Sequence, residues 1–245
     1  MFDAVKAKDA CVQWIRDWFA ANGPTCVAVI GISGGKDSSV AAALCVEALG
    51  AGCVVGVMMP NGTQHDIAEC NRLAEHLNIT LENVNIEPMV VNFMTQVPHY
   101  PTKQASINLA PRVRMTLLYY ISQCINGRVC CTDNASEAYV GYSTRWGDNV
   151  GDFCPLVNFT SDEVVAIGDA LGLPYELTHK TPSDGLCGKT DEDNFGFTYA
   201  ALNKYIRTGE CDNLEVKEKI DNLHNKNLFK LQPIPSFKYI NEEEI

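Results

Sequence analysis

One glycine-rich stretch near the start of the chain decides the fold. It reads Gly31-Ile32-Ser33-Gly34-Gly35-Lys36-Asp37-Ser38-Ser39. Residues 26–30 before it are a short apolar, β-branched run that predicts a buried strand, and residues 38–49 after it predict a helix. The glycines let a ligand approach the backbone N–H groups, the serines add hydroxyl donors, and the helix presents its positive N-terminal end. The stretch therefore predicts a pyrophosphate-binding strand–loop–helix unit.

A Walker A loop is the obvious alternative, and its spacing does not match. That motif places about four residues between its first glycine and Gly-Lys-Ser/Thr. Here three residues separate Gly31 from Gly35, and Lys36 is followed by Asp37. The spacing therefore argues against a kinase or a GTPase.

Strand-like and helix-like segments alternate along the rest of the chain. Further strands are predicted at residues 53–59, 81–86 and 128–131, and helices near 67–77, 103–126, from Thr160 onward, 191–206 and 213–227. Residues 132–158 lack periodicity and are rich in Gly, Asp, Asn and Ser, which predicts a long functional loop. The alternation predicts one α/β domain over 1–245, a doubly wound parallel sheet with helices on both faces. Ligands should then bind at the carboxyl ends of the strands, at the topological switch point.

The composition narrows the classes of function. Of 245 residues, 46% are hydrophobic and 20% charged, and the net charge of −11 argues against a nucleic-acid-binding surface. No apolar run reaches the roughly 18 residues of a membrane span. Charged residues also interrupt the apolar face of residues 2–20, which is unlike an export signal. We therefore expect a cytoplasmic protein with no nucleic-acid or membrane partner.

The cysteines do not have the pattern of a disulfide framework. There are eleven of them, without a CxxC pair, and several lie in apolar runs, namely Cys26, Cys45, Cys53, Cys124 and Cys130. A thiol in such a run behaves as a small hydrophobe. We therefore expect reduced core cysteines and no zinc site.

Several motifs carry a resemblance to a known family. Residues 33–38 resemble the SGGxDS signature of the N-type ATP pyrophosphatases, whose members cleave ATP between the α and β phosphates and activate a substrate oxygen as an adenylate. Residues 108–115, 132–137, 141–148 and 182–199 resemble segments of the ammonia-dependent NAD⁺ synthetases within that superfamily. The likeness extends over nearly the whole chain and implies an adenine nucleotide alpha hydrolase-like fold.

The resemblance implies roles for individual residues. ATP would be contacted by Gly31, Ile32, Ser33, Gly34, Gly35, Lys36, Asp37, Ser38, Thr132 and Ser183, with a weaker Q-x-D segment at Gln64 and Asp66. Deamido-NAD⁺ would be contacted by Arg112, Arg145, Asp152, Phe229 and Lys230. Asp37 and Glu137 would hold Mg²⁺, a cation that prefers one or two carboxylates together with phosphate oxygens. Lys36 and Asp37 would be the catalytic residues.

Two positions depart from the family pattern. Ser161 stands where many members have an ATP-contacting lysine, and Phe229 stands where others have a histidine before Lys230. Lys36 lies inside the loop, where many members have glutamine. It could supply the positive charge that Ser161 does not, or it could point to solvent while Ser161 bonds the phosphate or a water.

The reaction implied by the resemblance has two steps. The nicotinate carboxylate of deamido-NAD⁺ attacks the α-phosphorus of ATP and releases pyrophosphate, and ammonia then displaces AMP to give NAD⁺. The synthetase segment uses almost all of the chain, so we expect ammonia rather than a glutaminase domain as nitrogen source, in a homodimer. Two alternatives remain: a tRNA- or deazapurine-modifying ligase with the same loop, and a non-catalytic nucleotide sensor.

Overall fold

A computed structural model describes residues 2–63, 66–180 and 190–237. Within these ranges the strands are β1 Val27–Gly31, β2 Val54–Met58, β3 Thr80–Asn83 and β4 Gly127–Cys130. The helices are α1 Ala4–Asn22, α2 Lys36–Leu49, α3 Ile67–Leu77, α4 Glu87–Gln96, α5 Lys103–Cys124, α6 Ala135–Val140, α7 Ser161–Ala170, α8 Tyr175–Thr178, α9 Asp191–Phe195, α10 Tyr199–Thr208 and α11 Leu214–Leu231. The predicted alternation of strands and helices is confirmed.

The strands form a parallel sheet in the order β3-β2-β1-β4. Ala28 of β1 lies opposite Val54 of β2 on one side and Arg128 of β4 on the other. The chain moves outward from β1 to β3 and then returns to place β4 on the other side of β1. The carboxyl ends of β1 and β4 therefore flank the switch point at which such sheets bind ligands.

Different helices cover the two faces of the sheet. Ala28 and Ile30 point into a core shared with α1, α2 and α7, whereas Val29 points into a second core with Val90 of α4 and Ile121 of α5. Successive side chains of a strand point to opposite faces, so one apolar strand serves both cores. The predicted doubly wound α/β sheet with helices on both faces is therefore confirmed.

Several elements differ from the sequence prediction. The predicted loop 132–158 contains α6, whose first turn is capped by the buried Asn134 side chain, which accepts the N–H groups of Ser136 and Glu137 at 2.9 and 3.1 Å. Helices α4 and α8 are not predicted. Gly196, at a φ of 75°, separates α9 from α10, which are predicted as one helix. Helix α5 continues through Pro111.

The ten cysteines that the structure describes are free thiols. Cys26, Cys45 and Cys130 are buried as predicted, whereas Cys53, just before β2, and Cys124, at the end of α5, are exposed. The acidic tail, residues 242–244, lies outside the described residues. Across the described ranges, no helix combines the length and apolar character that a membrane crossing requires.

Candidate active site

The predicted phosphate loop connects β1 to α2 at the switch point. The Ser33 hydroxyl lies 3.1 Å from that of Ser38 and accepts the N–H of Gly35 at 3.2 Å. Ser39 donates its hydroxyl to the Gly35 carbonyl at 2.8 Å. Gly35 is the N-cap residue of α2 and makes no side-chain cap bond. The serines therefore hold the loop in shape. The first N–H groups of an α-helix have no partner within the helix and lie at its positive end, so the start of α2 suits an anion.

Gly34 is the position at which the loop tolerates no side chain. Its φ is +81°, and a Cβ there would lie 2.8 Å from the Cβ of Asp66 and 2.9 Å from the Asp66 carbonyl. The Lys180 ammonium bonds the Asp66 carboxylate and lies 3.6 Å from that of Glu69. Asp66, the N-cap residue of α3, therefore packs against the loop at Gly34. Gln64, the other residue of the predicted Q-x-D segment, lies outside the described residues.

Ile32 anchors the loop to the core. Its side chain is buried, its N–H donates to the Val57 carbonyl at 2.9 Å, and its carbonyl accepts the Cys70 thiol at 3.6 Å. A Cβ on Gly31 would lie 3.2 Å from the Met59 methyl group. Contacts of Gly31 and Ile32 with ATP stay a prediction, and the structure gives both residues a packing role as well.

Lys36 is directed at carboxylates rather than at solvent. The Lys36 side chain is only 6% exposed. Its ammonium lies 2.8 Å from the Asp37 carboxylate and 5.8 Å from the centroid of the Tyr199 ring. Burial alone would lower the pKa of Lys36, but the charges of Asp37 and Glu137 raise it above its ordinary value. Asn134 donates to the other Asp37 oxygen at 2.9 Å. The lysine therefore stays charged and neutralises an acidic cluster at the mouth of the loop.

Glu137 and Asp133 complete this cluster from the segment that follows β4. Burial and the nearby Asp37 carboxylate raise the pKa of Glu137 well above its usual range. Burial likewise raises the pKa of Asp133, although a hydrogen bond with Glu137 opposes the shift. Crowded carboxylates of this kind favour a bound cation or a shared proton.

The donor set suits Mg²⁺ only if ATP supplies the remaining ligands. Among the described residues, no group of three or more His, Cys, Asp and Glu side chains is arranged to hold a metal ion. The carboxylates of Asp37 and Glu137 nonetheless interact electrostatically across the loop. Because Mg²⁺ is commonly held by one or two carboxylates plus phosphate oxygens and water, these residues fit the predicted metal site.

Asp191, at the start of α9, adds a further carboxylate. It is buried and accepts the Tyr199 hydroxyl at 3.1 Å. Its charge contributes to the raised pKa of Lys36, after those of Asp37 and Glu137. Burial, followed by the charge of Glu137, raises the pKa of Tyr199, so its hydroxyl stays protonated and donates.

A second group of predicted residues surrounds the loop 141–148. Arg112 of α5 donates to the Arg145 carbonyl at 3.3 Å. The Arg145 guanidinium lies 5.1 Å from the centroid of the Trp146 ring and 5.4 Å from that of Phe229. The structure thus brings together the predicted Arg112, Arg145 and Phe229. An arginine between two exposed aromatic rings suits a planar, anionic substrate.

Lys230 holds this loop from α11. Its ammonium donates to the carbonyls of Gly141 and Ser143 at 2.9 and 3.1 Å, and burial lowers its pKa. Asp148 partly offsets that shift and also interacts with Asp133 of the acidic cluster. The two groups of residues are therefore neighbours, connected through Asp133 and Asp148.

The remaining predicted residues have different placements. Asp152 accepts the Val129 N–H at 2.8 Å and the Tyr119 hydroxyl at 3.3 Å, so it attaches its own segment to β4 and α5. The residue is nonetheless exposed. Thr132 lies two residues after the end of β4 and is partly exposed. Ser183 lies outside the described residues.

Ser161 belongs to a buried polar network rather than to an open surface. Its N–H donates to the Ser136 hydroxyl at 2.9 Å, and its own hydroxyl accepts from Asn203 at 3.3 Å. Thr160 and Glu163 form a capping box at the start of α7, in which Glu163 accepts the Thr160 N–H at 2.9 Å. Ser136 precedes Glu137, so Ser161 lies beside the acidic cluster.

Sequence reasoning assigned no role to several residues of the site. They are Asp133, Asn134, Asp148, Lys180 and Asp191. Asp133, Asn134 and Asp148 lie inside the motifs that carried the resemblance, and Asp191 begins the acidic pair before Gly196. Their position in those motifs was therefore a usable signal, but their mutual contacts were not visible.

Comparisons with known proteins agree with this geometry. The family model described as NAD synthase matches residues 8–235. The NH(3)-dependent NAD(+) synthetase of Thermococcus kodakarensis is 40% identical over 179 residues, 73% of this chain and 70% of the relative.

Two solved structures extend the likeness to the fold. The NMN synthetase of Francisella tularensis superposes with a TM-score of 0.90 at 33% identity, covering 98% of this chain and 100% of the other. The NH3-dependent NAD synthetase of Campylobacter jejuni, in complex with the nitrate ion, gives a TM-score of 0.80 at 27% identity, covering 97% and 100%.

A parallel sheet with a glycine-rich loop and an acidic cluster at its switch point defines an adenine nucleotide alpha hydrolase-like protein. Within that class, the chain belongs to the NAD synthase family, as the resemblance of its motifs implied.

Proposed function

We propose that the chain is an ammonia-dependent NAD⁺ synthetase, which adenylates the nicotinate carboxylate of deamido-NAD⁺ with ATP and then amidates it. One observation carries the proposal: the phosphate loop with its acidic cluster lies beside the arginine–aromatic loop 141–148, with Asp133 and Asp148 between them. The names of the relatives support the same activity.

The residues of the chain contribute binding and orientation. The loop amides and the N-terminus of α2 face the pyrophosphate that leaves when the carboxylate oxygen attacks the α-phosphorus. Asp37 and Glu137 would hold Mg²⁺, which supplies positive charge on the phosphate oxygens. Ammonia then attacks the acyl carbon and AMP departs. No covalent protein nucleophile is required, because the adenylate provides the leaving group.

The arginine–aromatic loop orients the acid substrate in this proposal. Arg145, between Trp146 and Phe229, would face the dinucleotide, with Arg112 beside it. Planar guanidinium groups bind carboxylates and phosphates through paired hydrogen bonds. Lys230 keeps the loop in place through two carbonyls and retains a third N–H for the substrate.

A homodimer and a cytoplasmic location are part of the proposal. Helices α4 and α5 expose large apolar side chains, namely Met89, Val91, Phe93, Met94 and Tyr120. Such a patch supports burial against a second copy. Light scattering should give twice the mass of the chain. Phe93→Glu places a charge at a position where the side chain is 55% exposed, and it should lower the measured mass to that of one chain. A wild-type protein that elutes as a monomer contradicts this part.

A second candidate function is favoured by one specific observation. The NMN synthetase structure has the TM-score of 0.90, against 0.80 for the C. jejuni NAD synthetase. Nicotinate mononucleotide carries the same carboxylate as deamido-NAD⁺ and lacks the adenylate half. Rates with the two acids at equal concentration decide between the candidates, and a clear preference for the mononucleotide would make NMN the product.

The central experiment combines the protein with ATP, Mg²⁺, ammonium and each acid, and separates the products by chromatography. We expect the amide and AMP in equal amounts. ADP would contradict the proposal, because it means cleavage between the β and γ phosphates. Asp37→Asn should abolish most of the activity, whereas Asp17→Asn, the same change on the exposed side of α1, should leave it unchanged.

A further inference from the structure

Two cysteines face each other where β4 meets the segment 151–155. Cys130 and Phe153 form a parallel bridge, and the Cys131 N–H donates to the Phe153 carbonyl at 2.9 Å. Cys131 and Cys154 are the next residues in this register. Paired strands lie about 4.7–4.9 Å apart, and a disulfide needs Cα atoms roughly 4.4–6.8 Å apart. The backbone therefore places these cysteines at disulfide spacing.

The side chains of the pair already interact. Successive residues point to opposite faces, so Cys131 and Cys154 both turn away from the face of Cys130 and Phe153. The interaction between the two neighbouring thiols lowers the pKa of Cys154 below its ordinary value and raises that of Cys131. Cys154 also donates to the Asp133 carbonyl at 3.6 Å.

Solvent access distinguishes the Cys131–Cys154 pair from a second pair of thiols, Cys45 and Cys130. Cys154 is partly exposed, and the thiolate is the reactive form of a cysteine. Cys130 interacts with the Cys45 thiol, which helps to raise the pKa of Cys130, but both of those residues are buried. The Cys45–Cys130 pair therefore provides an internal comparison with similar chemistry and less access to oxidants.

We propose that Cys131 and Cys154 are an oxidation site at which a peroxide forms a reversible disulfide. The Cys154 thiolate attacks one peroxide oxygen, the O–O bond breaks, and the sulfenic acid forms with release of hydroxide that takes up a proton to become water. The Cys131 sulfur then attacks the sulfenic sulfur, the S–O bond breaks, and a second water leaves. The two thiols lose two electrons and the peroxide gains them.

The disulfide acts on the active site through the segment that follows Cys131. Bond formation removes the Cys154 donor from the Asp133 carbonyl and draws the Cys131 side chain toward Cys154. Thr132 and Asp133 are the next residues, and Asp133 interacts with Asp37 and Glu137. Oxidation therefore lowers the activity, and a dithiol reductant restores it.

The experiment treats the full chain with hydrogen peroxide, alkylates the remaining thiols, and maps crosslinked peptides by mass spectrometry, with NAD⁺ formation measured before and after dithiothreitol. We expect a Cys131–Cys154 peptide, loss of activity that dithiothreitol reverses, and alkylated Cys45 and Cys130 after unfolding. Cys154→Ser keeps a donor for the Asp133 carbonyl and should abolish both effects. Cys124→Ser, which changes an exposed thiol at the end of α5, should behave as wild type.

Two results would overturn the proposal. One is the absence of the Cys131–Cys154 peptide at peroxide concentrations that oxidise Cys124. The other is an equal, reversible loss of activity in the Cys154→Ser variant. The peptide map does not depend on catalysis, so a failure of the proposed enzymatic function leaves this test intact.

Discussion

The two halves of the candidate site are constructed differently. The phosphate loop consists of consecutive residues between β1 and α2, and the proposed function has it bind phosphate mainly through backbone amides. The loop 141–148 is held by side chains distant in sequence, with Arg112 and Lys230 bonded to its carbonyls. The first half therefore depends on backbone shape and on its local charge balance, whereas the second depends on separate anchoring contacts. Changes to the first should be the more damaging.

The largest expected effect comes from the charge balance of the phosphate loop. Lys36→Gln removes the buried cation beside Asp37 and should lower the rate of pyrophosphate release by on the order of 10²- to 10³-fold, the usual cost of losing one preorganised charge donor. Lys204→Gln, the same substitution in the exposed pair with Asp212, should leave the rate near wild type. Comparable rates in the two variants would mean that Lys36 does not serve the reaction.

A substitution at Ser161 tests whether Lys36 takes the place of the lysine that many family members have at position 161. If Lys36 compensates for Ser161, Ser161→Lys should restore part of the loss in the Lys36→Gln variant, and the two changes should be non-additive. The structure sets a condition on this test, because Ser161 is bonded to Ser136 and Asn203 and a lysine there must leave that network. Strictly additive effects would eliminate compensation.

Backbone shape in the same half is tested at Gly34. Gly34→Ala combines a φ of +81° with a Cβ placed 2.8 Å from Asp66, so the loop must shift. We expect a loss of about 10²-fold in turnover, the scale of a misplacement of about 1 Å. Gly172→Ala has a φ of +72° with no atom within 4 Å of the added Cβ, so it measures backbone strain alone. Equal destabilisation of both variants in urea, with normal turnover, would show that the loop tolerates the side chain.

The difference between the two halves of the site also explains which of its features could be predicted from the sequence. The phosphate loop was visible because its glycines, serines and flanking strand and helix are contiguous. Helix α6 was missed because its six residues carry too little periodicity, and helices this short depend on tertiary packing. The electrostatic interactions of Asp133 with Asp148, and of Lys36 with Asp191, join residues that only the fold brings together. Their positions were known from the motifs, but their electrostatic coupling was not.

The anchoring of the second half is tested at Lys230. Lys230→Met keeps the length of the side chain but leaves the Gly141 and Ser143 carbonyls without this donor, at a cost of roughly 1–3 kcal/mol. The KM for the acid substrate should rise by about tenfold, the equivalent of about 1.4 kcal/mol, with a smaller change in kcat. Lys226→Met, at an exposed position one turn earlier on α11, is the matched control. A fall in kcat with an unchanged KM would assign Lys230 to the chemical step instead.

The smallest expected effect concerns Asp133, which lies between the two halves. Its pKa is raised in the folded protein, mainly by burial, so the folded state holds a proton that the unfolded state has already released. Stability of the ligand-free protein should therefore fall as the pH rises from the ordinary carboxyl range through the raised pKa of Asp133. Asp133→Asn removes the contribution of Asp133 to this dependence while retaining a hydrogen-bonding partner for Glu137, so the variant should melt at a higher temperature than wild type at neutral pH, and the difference should shrink as the pH is lowered. Asp17→Asn, at an exposed position, should leave the pH dependence unchanged. A lower melting temperature for Asp133→Asn at neutral pH would mean that an ionised Asp133 stabilises the junction between the two halves.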